Sequence, residues 1–175
     1  MGENQMHSRS NGVGKSSFQY IDAEKFFSVL GLQDDTVLLD LGCGRGNYSI
    51  AASDYIGDKG WIYAIDKSGE YFTHLKKVIR DQGIQNTSAI QADVTEGLPL
   101  EDHCLDICLI AGVLHHLVQE NSYEATLREV KRVLKYDARL SIIEFKKITG
   151  PPGPPIDSRI SPGTLEHLFH PYGLK

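Results

Sequence analysis

Apolar and polar positions alternate along this chain in blocks. Five short apolar runs stand out: 36–41 (TVLLDL), 61–66 (WIYAID), 87–92 (TSAIQA), 104–111 (CLDICLIA) and 138–145 (ARLSIIEF). Their length and their content of Val, Ile and Leu predict buried strands. The stretches around and between them carry helical spacing. A helix is predicted over about 22–30, with Phe26, Phe27 and Leu30 on one side, Asp22 as cap and Gly31 as stop. A second runs from Asn47 to about Tyr55 and closes near Gly57. A third, 69–82, places Tyr71 or Phe72, Leu75, Val78 and Ile79 on one face before Gly83. A fourth, 121–135, lines up Leu127, Val130, Val133 and Leu134, with Asn121 and Glu124 in capping-box register. After the loop TGPPGPP, Ser161 and Pro162 start a last helix that ends before Pro171.

Strands alternating with helices predict an α/β fold: a Rossmann-like, doubly wound, mostly parallel sheet with helices on both faces. Such sheets bind ligands beyond the carboxyl ends of the strands, at the point where strand order reverses. The residues after each strand are therefore the ones to search.

Composition narrows the classes. The 175 residues suit one domain. Residues 1–17, rich in Gly, Ser and Asn, are expected to be a flexible leader, and 18–175 the domain. A net charge of −5 without a basic run disfavours nucleic acid and anionic membranes as partners. No apolar run is long enough for membrane insertion, and the N-terminus lacks a signal-peptide core. Three cysteines make no disulfide framework, so a reducing cytoplasm is the expected compartment. Cys104 and Cys108 share a strand face but lack further ligands, and no metal site is expected. Gly12 to Ser16 lacks the first glycine of a phosphate loop, since position 9 is Arg9.

The first strand runs into Asp40-Leu41-Gly42-Cys43-Gly44-Arg45-Gly46. Three glycines permit a tight turn and close approach of a ligand. A dinucleotide fingerprint would need glycine at 47, which is Asn47, and Asp40 would repel a pyrophosphate. A second carboxylate, Asp66, closes the next strand about 20 residues beyond Gly46, the offset of a ribose-binding acid. A third, Asp93, follows the third strand.

Asp-x-Gly-x-Gly-x-Gly after a strand, with acids at the next two strand ends, resembles the class I S-adenosylmethionine-dependent methyltransferases. The segment 98–117 (LPLEDHCLDICLIAGVLHHL) and LSIIEF place the resemblance nearest the small-molecule methyltransferases of ubiquinone and menaquinone biosynthesis. It implies S-adenosylmethionine as cofactor and S-adenosylhomocysteine as product. It implies that Gly42, Cys43, Gly44 and Gly46 admit the methionine part and that Asp40 holds the ammonium. Asp66, with Lys67 beside it, would hold the ribose. Asp93 and the Val94 backbone would hold adenine, and Ala111 would line the methionine side.

A small-molecule acceptor is expected between segment 18–27 and loop 146–161, because the N/D-P-P-Y and Pro-Cys signatures of nucleobase and glutamine enzymes are missing. His115 and His116 follow the fourth strand and are candidate catalytic bases; backbone bonding is the plain structural role. Glu144 could reach the acceptor or pair with Lys146 or Lys147, and Asp106 is expected to be structural. Two other functions fit the same pattern: a cofactor-binding subunit without catalysis, and a nicotinamide-dependent oxidoreductase. The family's sheet continues into an antiparallel C-terminal hairpin, which is expected to be absent here. The edge so exposed would invite a homodimer.

Overall fold

The computed structural model describes residues 16–150 and 152–173. Residues 1–15, which hold most of the expected leader and Gly12–Lys15, lie outside them, as do Pro151 and the last two residues. Five strands are present: β1 Val37–Leu41, β2 Trp61–Asp66, β3 Thr87–Gln91, β4 Leu105–Ala111 and β5 Leu134–Ile143. They form one sheet in the order β3-β2-β1-β4-β5, and every pairing is parallel. The order reverses at β1, so the ligand crevice of such a sheet falls between the carboxyl ends of β1 and β4.

Alternation along β1 explains the two core layers. Leu38 packs on one face with Phe27 and Leu30 of α1 (Ala23–Leu30) and Tyr48 and Ala52 of α2 (Asn47–Ser53). Leu39 and Leu41 face the other way. There they meet α4 (Leu114–Gln119), Leu127, Val130 and Val133 of α5 (Tyr123–Val133), and Phe169 of α6 (Pro162–Phe169). Leu38, Leu39, Leu109 and Ile110 are fully buried, each stabilising the fold by about 1.5–3 kcal/mol. The remaining helix, α3 (Gly69–Gln82), packs on β2 and β3.

The expected helix boundaries hold where a cap sits in the sequence. Asp22 accepts from the Lys25 N–H, Ser68 from Tyr71 and Ser161 from Thr164, while Gly31 and Gly83 close their helices left-handed. The fourth helix differs. Residues 114–119 form α4, which the strand-to-loop reading passed over. Asn121, at φ 53°, terminates α4 instead of capping α5, its N–H donating to the Val118 carbonyl. Asn tolerates this left-handed position, so the Asn121–Glu124 capping box does not form and α5 starts at Tyr123.

The last strand also begins earlier than 138. Leu134 pairs with Leu105, and the ladder then resumes at Arg139 opposite Ile107. Residues 135–138 bulge out between these pairings, opposite Asp106. That carboxylate takes the Val37 N–H at 2.9 Å and the Lys135 ammonium at 2.7 Å. Asp106 is thus structural, as expected, and it joins three strand starts. β5 is an edge strand with no hairpin beyond it among the described residues. A groove of about 520 Å³, lined by Phe26, Val29, Leu140 and Tyr172 among others, follows that edge rather than the loops after the strands. No described helix is long and apolar enough to cross a membrane.

Candidate functional site

The glycine loop that follows β1 is built from three left-handed residues, Gly42, Gly44 and Gly46. They do different work. A side-chain carbon at Gly42 would sit 2.5 Å from Val113 Cγ2, and one at Gly46 would sit 2.4 Å from Leu75 Cδ1. Those two glycines let the loop pack on α3 and on the end of β4. A carbon at Gly44 would meet nothing within 4 Å. Gly44 alone therefore borders open space.

Asp66 closes this space. Its Oδ2 accepts the Gly44 N–H at 2.9 Å, and its Oδ1 accepts the Ser68 N–H at 2.8 Å. The carboxylate is partly exposed and has lone pairs left for two hydroxyl donors. Asp93 stands at the end of the neighbouring strand. Thr95 donates to its Oδ1 through N–H (2.9 Å) and hydroxyl (2.7 Å), which holds the acid below the usual carboxylate range. Its second oxygen takes no donor among the described residues. Val94 opens a short 3-10 turn beside it and is half-buried.

Asp40, expected to hold the ammonium directly or through water, lies inside the fold. Alternation sets it on the same face as Leu38, beneath α2, with 1% exposure. The Ser49 hydroxyl donates to it at 2.5 Å. Burial raises its pKa to about 6, against the Ser49 hydrogen bonds and helped by the nearby Asp66 charge. Cys43 is half-buried in the loop, its thiol pushed up by burial and by both acids, which disfavours the thiolate. Lys67 points away to Glu120, 3.6 Å off, tying the end of β2 to the end of α4 across an exposed surface.

The far side of the crevice is made by the ends of β4 and β5. Ala111 is half-buried at the end of β4, and Gly112 donates to the Ile143 carbonyl. His115 is buried and meets Glu144, the residue just after β5, through both carboxylate oxygens at 3.1 and 3.0 Å. Glu144 thus pairs with neither Lys146 nor Lys147. His116 is exposed, its ring centroid 4.1 Å from that of His115. Burial and the His115 neighbour hold His116 below the ordinary histidine pKa.

The start of the described chain lies against α2 and against the residues just after β5. Ser16 caps a 3-10 turn, Ser17–Tyr20, although both serines fell within the expected leader. Ser17 hydrogen-bonds the Tyr48 hydroxyl at 2.9 Å, and Tyr20 lies edge-on to Phe145 at 6.0 Å. Behind Phe145 the loop 146–158 is held by Arg159. Its five N–H groups donate to the carbonyls of Lys146, Ile148, Gly150, Pro152 and Pro154 at 2.8–3.0 Å. Every second residue turns its carbonyl onto one buried guanidinium. The reading of the sequence missed Arg159 and the His115–Glu144 pair.

The donor set fits S-adenosylmethionine: an uncluttered glycine for the close approach, a ribose-type acid tied to that glycine, and a second acid at the next strand end. Among the described residues no cluster of three or more His, Cys, Asp or Glu could hold a metal ion.

Comparison with known proteins bears on the family and the fold. A family model described as a methyltransferase domain matches residues 32–162. A demethylmenaquinone methyltransferase from Lactobacillus johnsonii is 30% identical over 128 residues, which are 73% of this chain and 51% of that one. A ubiquinone/menaquinone biosynthesis C-methyltransferase from Shewanella sp. is 34% identical over 120 residues, 68% of this chain and 46% of the relative. The chain spans about half the length of these curated relatives. Among solved structures, a SAM-dependent methyltransferase from Aquifex aeolicus superposes with a TM-score of 0.80 at 30% identity, covering 88% of this chain and 80% of the other. With its all-parallel sheet, its glycine cradle and these matches, the chain belongs to the class I S-adenosylmethionine-dependent methyltransferases, and over about half their length it is similar to the ubiquinone and menaquinone C-methyltransferases.

Proposed function

We propose that this chain transfers a methyl group from S-adenosylmethionine to a small-molecule acceptor, a hydroxylated aromatic ring of the quinol class. The observation that carries the cofactor side is the open space at Gly44, closed by Asp66 through the Gly44 N–H. The acceptor class is supported by the names of the two relatives and by the aromatic pair Tyr20–Phe145 at the entrance.

Gly44 would admit the methionine portion, Asp66 the ribose and Asp93 with the Val94 backbone the adenine. Asp40, held under α2, would act on the ammonium from behind the loop through its charge. Lys67 would flank the ribose, with Gly42, Cys43 and Gly46 shaping the loop and Ala111 the opposite wall. When bound, S-adenosylmethionine supplies an already activated methyl group. The protein's share is alignment, worth roughly 7–11 kcal/mol of barrier in well-oriented reactions.

A nicotinamide dinucleotide suits the loop less well, since its pyrophosphate would approach Asp66 with Asp40 behind it. Titration calorimetry with S-adenosylhomocysteine tests the reading. We expect binding by the intact chain and roughly a 100-fold weaker affinity for Asp66→Ala, the loss of two charge-assisted hydrogen bonds. Absence of binding by the intact chain would overturn it.

A further inference from the structure

The pair His115–Glu144 sits at the ends of β4 and β5 with one nitrogen uncommitted. Both side chains are 5% exposed. Glu144 accepts from the His115 backbone N–H at 3.2 Å and meets Nδ1 with both oxygens. A carboxylate only accepts, so Nδ1 carries the proton and Nε2 keeps its lone pair in the neutral ring. Among the described residues Nε2 takes no hydrogen bond, and no described side-chain nitrogen or oxygen is buried without a partner. The small exposed part of the ring therefore includes Nε2.

We infer that His115 accepts the acceptor's proton through Nε2 and that Glu144 is its positioning residue. This rests on the methyl transfer proposed above and adds the proton's destination. A hydroxyl proton of the acceptor moves to Nε2. The electron pair left on oxygen, shared with the ring carbon beside it, forms the bond to the methyl carbon. The bond from methyl to sulfur breaks, and sulfur keeps that pair in the neutral thioether S-adenosylhomocysteine. Where carbon is the attacking atom, its own hydrogen then leaves to water as a proton and aromaticity returns. The imidazolium then gives its proton back to the ring oxygen; where oxygen is the attacking atom it becomes a methyl ether, and the imidazolium releases the proton to water instead. Glu144 stabilises the imidazolium throughout without taking the proton.

His116 is the weaker candidate. It is exposed, and among the described residues no hydrogen bond fixes its ring. The charged and titratable groups around the two rings are Glu144 after β5, Glu120 at the end of α4 and Lys67 after β2.

Two measurements test the inference. Nitrogen-15 NMR of the wild-type side chains at pH 7.5 is expected to show His115 as the Nδ1–H tautomer, a state lost in Glu144→Gln. An Nε2–H tautomer in the wild type would overturn the inference whether or not an acceptor is found. In the second, S-adenosylhomocysteine formation is followed with a reduced 1,4-naphthoquinone and a catechol as acceptors. His115→Gln should lower kcat roughly 100-fold or more, with S-adenosylhomocysteine affinity within about twofold. Glu144→Gln should lower kcat about tenfold, with S-adenosylhomocysteine affinity unchanged. A loss at His116→Gln as large as at His115→Gln would overturn the inference. Binding of S-adenosylhomocysteine without turnover of either acceptor would count against the acceptor class instead, and the tautomer would then decide the pair's role.

Discussion

The ends of β1, β2 and β3 and the ends of β4 and β5 face one another across the crevice, and they are put together differently. On the first side most polar contacts close within a few residues: Asp66 with Ser68, Asp93 with Thr95, Asp40 with Ser49. The longer ties run from Gly44 to Asp66, from Gln91 to the Lys67 carbonyl and from Lys67 to Glu120. On the second side the contacts join distant segments: His115 with Glu144, Ser17 with Tyr48, Tyr20 with Phe145. Local turns make a site of one fixed shape, suited to a cofactor that never changes. Contacts between distant segments depend on the whole fold and can be re-cut by changing either segment.

The comparison can be broken in four places, from the largest expected effect on stability to the smallest. Gly46→Ala sets a carbon 2.4 Å from Leu75 Cδ1 at a left-handed φ of 80°. Overpacking and backbone strain together should cost about 2–4 kcal/mol, read as a lower urea midpoint. An unchanged midpoint would mean that the loop yields freely, and the fixed-shape argument would fail.

Arg159→Ala removes the centre of the second side. We expect about 2 kcal/mol of lost stability, and fast amide exchange confined to 146–158. Affinity for S-adenosylhomocysteine should stay within about twofold. Loss of cofactor binding in this variant would show the two sides to be one unit.

Asp40→Asn keeps the side-chain shape and a partner for Ser49 but removes a buried charge. The folded pKa of Asp40, about 6, lies above the ordinary 3.8. The folded chain therefore holds this proton more tightly, and the group's stabilising contribution is full below 3.8 and lost as pH rises through 6. The Asn variant should be the more stable one at pH 7.5, by about 1–3 kcal/mol, with the gap closing toward pH 4. Thermal midpoints across that range read it, and a pH-independent gap would contradict the buried-charge argument.

Gly44→Ala is the mildest for the fold. Its carbon would meet no atom within 4 Å, so only the strain at φ 55° remains, about 1 kcal/mol. Cofactor affinity should fall far more than stability does. Equal falls in Gly44→Ala and Gly46→Ala would erase the distinction between a binding glycine and a packing glycine.

Legibility in the sequence follows the same divide. The strands and the caps Asp22 and Ser161 were readable because each acts through neighbours in the chain, and Asp66 and Asp93 stand at the strand ends where the pattern put them. Asp106 was readable because an apolar strand cannot leave a carboxylate unpaired. The placement of Asp40 beneath α2 needed the face of β1 to be known, which only the packed sheet supplies. The capping box at Asn121 misled because a short helix, α4, ended on that residue first. Arg159 gave no signal, since its partners are carbonyls, which every residue carries.

That last point reaches beyond this molecule's stability. A loop shaped by carbonyls gathered on an arginine outside it owes little of its path to its own side chains. Substitutions along 146–158 can change what an incoming molecule touches while the backbone keeps its course. Such a loop is a mounting plate for variation: a lineage can try new acceptors there without first solving the folding problem again.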